Sequence, residues 1–135
     1  MDSLDTTNGA LTGEDAPAIA AGCALLATAG DADASALRDR LHALLRAAPL
    51  PEDASAAALQ SFDGNVRHIQ DDATAGEADA MGVARQAKGD VNGAKRVFGA
   101  CLNAAGGIDA LSPAQAAKAR SLCESLNLSP TQFGL

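Results

Sequence analysis

The sequence predicts an all-α fold: a single-domain helical bundle of about six to seven helices, built from two pseudo-repeated helix-loop-helix units. Alanine dominates a composition that is 47% apolar yet holds no Trp or Tyr and few β-branched apolar residues, which favours helix over pleated sheet. One frame also occurs twice, as Cys23-Ala24-Leu25-Leu26-Ala27-Thr28-Ala29-Gly30 and as Gly99-Ala100-Cys101-Leu102-Asn103-Ala104-Ala105-Gly106, with half of its positions identical. An Asp-Ala pair follows each glycine at the same distance, Asp33-Ala34 and Asp109-Ala110, and then a serine able to cap a second helix, Ser35 or Ser112. An amphipathic unit of this size cannot bury its apolar face alone and needs its sister.

Taken in order, residues 1–13 are polar and glycine-rich and read as a flexible tail. The first helix is expected near Asp15, with Pro17 in its opening turn, a buried stripe of Ile19, Cys23 and Leu26 beside Ala20 and Ala27, and an end at Gly30. After a loop in which Asp33 or Ser35 can accept from free helical N–H groups, Leu37, Leu41, Leu44 and Leu45 mark an amphipathic second helix. Pro49-Leu50-Pro51 stops it. The acidic pair Glu52 and Asp53 opens a third, to about Ile69, carrying Ala56, Leu59, Phe62, Val66 and Ile69, with Gly64 as its weak point.

Residues Asp71 to Gly76 read as a polar connection, followed by a fourth helix from about Glu77 to Lys88 that buries Met81 and Val83 or Val83 and Ala87. Lys88-Gly89-Asp90 is a stop followed by a start, so the fifth helix begins at Asp90 and presents Ala94, Val97, Phe98, Cys101 and Leu102. Ser112-Pro113 opens the sixth, in the order cap, then proline at the first helical position, with Ala116, Ala119, Leu122, Cys123 and Leu126 inside. Ser129-Pro130 starts a last turn whose Phe133 and Leu135 dock the terminus.

Several function classes are disfavoured by this composition. A net charge of −7 does not suit a sequence-independent grip on nucleic-acid phosphate or anionic lipid. Cys23, Cys101 and Cys123 lie far apart without ligand-like spacing and read as small hydrophobes. His42 and His68 have no carboxylate or cysteine at a catalytic spacing, and no nucleophile elbow, phosphate loop or zinc signature occurs, so the expected function is non-enzymatic. The acidic amino terminus does not resemble a signal peptide, and no apolar run approaches the ~18 residues of a membrane helix, so no direct membrane insertion is expected. The default location is cytoplasmic.

The closing stretch Ser121-Leu122-Cys123-Glu124-Ser125-Leu126-Asn127-Leu128-Ser129-Pro130-Thr131-Gln132-Phe133-Gly134-Leu135 resembles the carboxyl end of the TerB family of bacterial tellurite-resistance proteins. Thr28-Ala29-Gly30-Asp31-Ala32-Asp33 and Ala104-Ala105-Gly106-Gly107-Ile108-Asp109 are similar to that family's two acidic inter-helix loops. The likeness spans about Ala18 to Leu135 and implies a TerB-like helical domain over 14–135. It further implies a stress-response role with a protein partner, associated with the inner membrane, and a divalent cation held by the acidic loops. The metal ligands carried over would be Asp31, Asp33 and Asp109. Where the family has an acidic residue before each loop glycine this chain has Ala29 and Ala105, and Ser112-Pro113-Ala114-Gln115 replaces a carboxylate-rich helix start. A hard cation wants six to eight oxygens, several of them charged. The competing role for Asp33 and Asp109 is to cap the helices they precede, and the competing function is a degenerate TerB-like interaction module with no metal site.

Overall fold

Between Asp15 and Asp31 the chain carries no charged side chain, and in the computed structural model this stretch forms the central helix. The structure describes residues 15–30, 33–47, 50–86 and 91–135. The tail over 1–13, Asp31, Pro49, Ala87 and the Lys88-Gly89-Asp90 boundary lie outside the described residues. Among the described residues there are six α-helices and no strand: α1 (Ala16–Ala27), α2 (Ala34–Ala47), α3 (Glu52–Asp71), α4 (Ala73–Ala84), α5 (Val91–Ala104) and α6 (Pro113–Ser125), with 3-10 turns at Ile108–Ala110 and Pro130–Phe133.

Alanine and leucine are strong helix formers and supply eight of the 12 residues of α1. A helix that is apolar all round must be covered all round. All of α1 except Pro17 is buried, and it packs against each of the other five helices. This corrects the single stripe expected from Ile19, Cys23 and Leu26: Ala18, Ala21, Ala24 and Leu25 are buried as well. Periodicity picked out the bulkier residues, whereas the lack of any wet side decides the burial. Full burial of Leu25 and Leu26 is worth about 1.5–3 kcal/mol each.

The outer helices keep a polar face. In α2, Leu37, Leu41 and Leu45 are buried and Leu44 is half-buried, as the leucine spacing predicts. In α3, Ala58, Phe62 and Ile69 are buried, Leu59 and Val66 are half-buried, and Ala56 is exposed, so the buried face is rotated from the expected one. Helix α3 runs through Gly64 without a break.

The largest departure lies between α3 and α4. The expected polar connection over 71–76 reduces to Asp72, whose extended backbone separates the helices and whose side chain accepts from the Ala75 N–H at 3.2 Å. Gly76 thereby falls inside α4 and presses on α3: a Cβ there would lie 2.5 Å from Ile69 Cα and 2.6 Å from Ile69 N. Polar Asp71, Asp72 and Thr74 looked like a loop, yet a one-residue junction with a good N-cap needs no more. Buried Gly76, Ala80 and Ala84 replace the expected Met81 and Val83, both half-buried.

Helix α5 buries Ala94, Val97, Phe98, Cys101 and Leu102 as predicted. The 3-10 turn at Ile108–Ala110, unforeseen from sequence, leads to α6. There Ser112 and Gln115 form a capping box: Ser112 Oγ accepts from Gln115 N at 3.2 Å, and Gln115 Oε1 accepts from Ser112 N at 3.0 Å. The chain end docks as expected through Phe133, whose ring meets Phe98 edge-on at 4.8 Å between centroids. Gly30, in the loop between α1 and α2, and Gly106, in the loop between α5 and α6, each approach the other of these two helix pairs. A Cβ on Gly30 would stand 2.8 Å from Ala114 Cβ, and one on Gly106 3.5 Å from Arg40 Cζ.

Gly76→Ala is expected to destabilise the bundle by about 1–3 kcal/mol despite alanine's better helix propensity, because the obstacle is α3 backbone that cannot rotate away. Gly64→Ala, with nothing within 4 Å of the added methyl, should stabilise by up to about 1 kcal/mol. Urea unfolding followed by circular dichroism at 222 nm measures both.

Candidate functional site

The acidic loops were the first candidate. Asp33 Oδ1 accepts from Ala36 N at 3.1 Å, capping α2, so Asp33 rather than Ser35 satisfies that helix start. Asp109 is exposed in the middle of the 3-10 turn. Asp31 lies outside the described residues, and among the described residues no three His, Cys, Asp or Glu side chains gather as a metal site. Asp33 is therefore placed as a cap, and Asp109 stands in the first turn of a 3-10 segment.

A polar pair missed in the sequence stands at the start of α1. Asp15 is buried, and its Oδ2 accepts from Arg96 Nε on α5 at 3.0 Å. The available signal was a carboxylate flanking a long uncharged stretch, which has to find a partner when that stretch is buried. Gln115 does comparable work at the other end of α1. Its Nε2 donates to Leu26 O at 3.2 Å, adding a side-chain donor to a carbonyl in the last turn that also accepts from Ala29 N at 3.4 Å. Thr28 Oγ1 reaches Ala24 O at 2.8 Å.

The surface offers a cleft of about 520 Å³ between the end of α2 and the start of α3. Leu45, Leu50, Ala56 and Leu59 line its apolar part; His42 and Arg46 stand on the α2 side, Glu52 and Asp53 on the α3 side. These charges have a local cause. Arg46 complements the C-terminal end of α2, and Glu52 and Asp53 the N-terminal end of α3. The rim thus carries basic groups on one bank and acidic groups on the other, above leucine.

A neighbouring groove of about 290 Å³ holds Ser35, Phe62, Val66, Arg67 and the pair Arg38–Asp63. Arg38 grips both Asp63 oxygens, at 2.8 and 3.0 Å, and this contact pushes its guanidinium further up from an already high value. Both side chains are about 40% exposed, so the pair adds at most about 1 kcal/mol. Lys118–Glu77 at 2.6 Å ties α6 to α4. His68 meets Asp79 across the α3–α4 corner at 3.4 Å. His42 lines the cleft.

All three cysteines are buried free thiols, as their reading as small hydrophobes predicts. The Cys23 thiol is pushed well up by its hydrogen-bonding contact with the Cys101 thiol, then by burial, and Cys123 is pushed up by burial and by the charge of Glu124. No protein-family model matches the chain, and neither a curated protein nor a solved structure matches it.

Asp15→Ala should destabilise by about 3 kcal/mol, since it breaks a largely buried ion pair; thermal unfolding reads the loss. Stability should also fall in alkali. In the folded chain Cys23 and Cys123 hold protons that the unfolded chain releases near the ordinary thiol value of 9.0. Their contribution is complete below that pH and is lost as pH rises above it. Melting temperatures between pH 7 and 11 should drop less steeply in a Cys23→Ala, Cys123→Ala variant, and the chain has no tyrosine to obscure the comparison.

Proposed function

We propose that the chain is a non-enzymatic, TerB-like bacterial stress protein that acts by holding a protein partner, with Asp33 of its first acidic loop serving as a helix cap. The observation that carries this reading is the α2–α3 cleft. Its volume of about 520 Å³ takes several side chains of a peptide segment rather than one, and its banks select the flanks: an acidic group against His42 and Arg46, a basic group against Glu52 and Asp53. Such a surface recognises a segment of protein better than a small ion. The charge of −7 argues against nucleic acid as that partner. No described helix is long and apolar enough to cross a membrane, so an association with the inner membrane would run through a membrane-bound partner. The link to tellurite rests on the family resemblance of the loops and the closing stretch.

A photo-crosslinking residue at Leu59, tested in bacterial cells, should give one discrete adduct that weakens at least about tenfold when Arg46 is changed to Glu. The same residue at exposed Ala117 should give none. Equal labelling from both positions would refute the cleft as the docking surface. Millimolar calcium, magnesium, manganese or zinc should leave the melting temperature of chelator-treated protein within about 1 °C, because only a ligand that binds the folded state raises it. A cation-specific rise that disappears in an Asp33→Ala, Asp109→Ala variant would instead establish a metal site on the loops.

A further inference from the structure

Helices α1 and α5 meet at Gly22, where the missing side chain makes room for a sulfur. A Cβ on Gly22 would stand only 2.6 Å from Cys101 Sγ. The same thiol reaches the carbonyl of Ile19, one helical turn before Cys23, at 3.6 Å, and so stands against the stretch of α1 that carries the Cys23 thiol. Two thiols from different helices thus share one fully buried space, both at 0% exposure. Their burial as small hydrophobes would not by itself bring them together.

We propose that Cys23 and Cys101 are the two halves of an oxidation-dependent crosslink between α1 and α5, formed by reaction with a hydroperoxide. One sulfur, as thiolate, attacks a peroxide oxygen; the O–O bond breaks, and the remaining oxygen leaves as hydroxide or alkoxide and takes up a proton. The sulfenic acid that results is attacked by the second sulfur. The S–O bond breaks, hydroxide leaves and combines with the second thiol's proton as water, and the S–S bond forms. Overall, two thiols lose two electrons and two protons to one peroxide.

The interior favours this product. A disulfide is neutral, so it can replace the thiol pair among alanine and leucine without burying charge. Closed burial also keeps peroxide out of the native state, so the crosslink forms when the α1–α5 contact opens, at a rate set by that opening. It therefore marks, and then ties, chains whose central helix has begun to separate from α5. Cys123 makes the reading testable, because it is nearer to Cys101 in sequence than Cys23 is. In an open chain the shorter loop closes more readily, so Cys101–Cys123 would be favoured. Only the folded arrangement selects Cys23–Cys101.

The experiment treats the full chain with hydrogen peroxide, with and without sub-denaturing urea. Remaining thiols are alkylated in strong denaturant, and the disulfides are mapped by mass spectrometry. The expected result is an intramolecular Cys23–Cys101 bond exceeding either pair with Cys123 by about tenfold. Cys123 should be recovered as the alkylated thiol, urea should accelerate the reaction severalfold, and oxidation should raise the melting temperature, a rise that a dithiol reductant reverses. A Cys123→Ser variant should give the same bond. Predominance of Cys101–Cys123, pair yields that follow loop length, oxidation that halts at a single cysteine, or three thiols untouched even in urea would each overturn the proposal. These readouts come from the wild-type chain, so they do not depend on a cysteine variant folding, and they are independent of the partner cleft.

Discussion

A helix with no polar side can persist in water only when other helices cover it completely, and α1 imposes that condition on the whole chain. Its ends are subject to the same demand, because a buried helix end still carries groups that need partners. The start of α1 is joined to Arg96 through Asp15, and the Leu26 carbonyl near its end is met by Gln115. Both partners come from the second half of the sequence. The tie between the two halves is therefore polar at the ends of α1 and apolar along its length, with Cys101 seated where Gly22 has no side chain.

Elements marked by strong local chemistry were legible in the sequence. The leucine spacing of α2, the buried face of α5, the Ser112-Pro113 opening of α6 and the docking of Phe133 all follow from local rules, and the structure places them accordingly. What escaped the reading depended on tertiary contact. Nothing near Gly76 announces that its missing side chain admits the backbone of Ile69. The face of α3 is rotated because it packs on α1 and α4 together, and an alanine such as Ala58 is buried by position rather than by size. The Asp15–Arg96 and Gln115–Leu26 links span most of the chain, beyond the reach of any local pattern.

The candidate sites divide along the same line. Asp33 and Ser112 were visible because capping is a local act, and they perform it. The α2–α3 cleft was not visible, since its leucines read as core and its charges as the dipole-complementing ends of two helices. Both descriptions hold. The cleft arises where two helix termini with opposite charge preferences come together above side chains that the bundle leaves partly uncovered.

The central position of α1 also has a consequence for synthesis. Among these helices α1 leaves the ribosome first, whereas α5, which covers one of its sides and carries Arg96, follows only after α2, α3 and α4. At typical elongation rates the interval from Ala27 to Ala104 lasts roughly 4–15 s. Throughout that time an uncharged alanine-leucine segment stands without its full coat, open to chaperones and to other nascent chains. Complete coverage of the earliest-made helix thus waits until the chain is nearly finished.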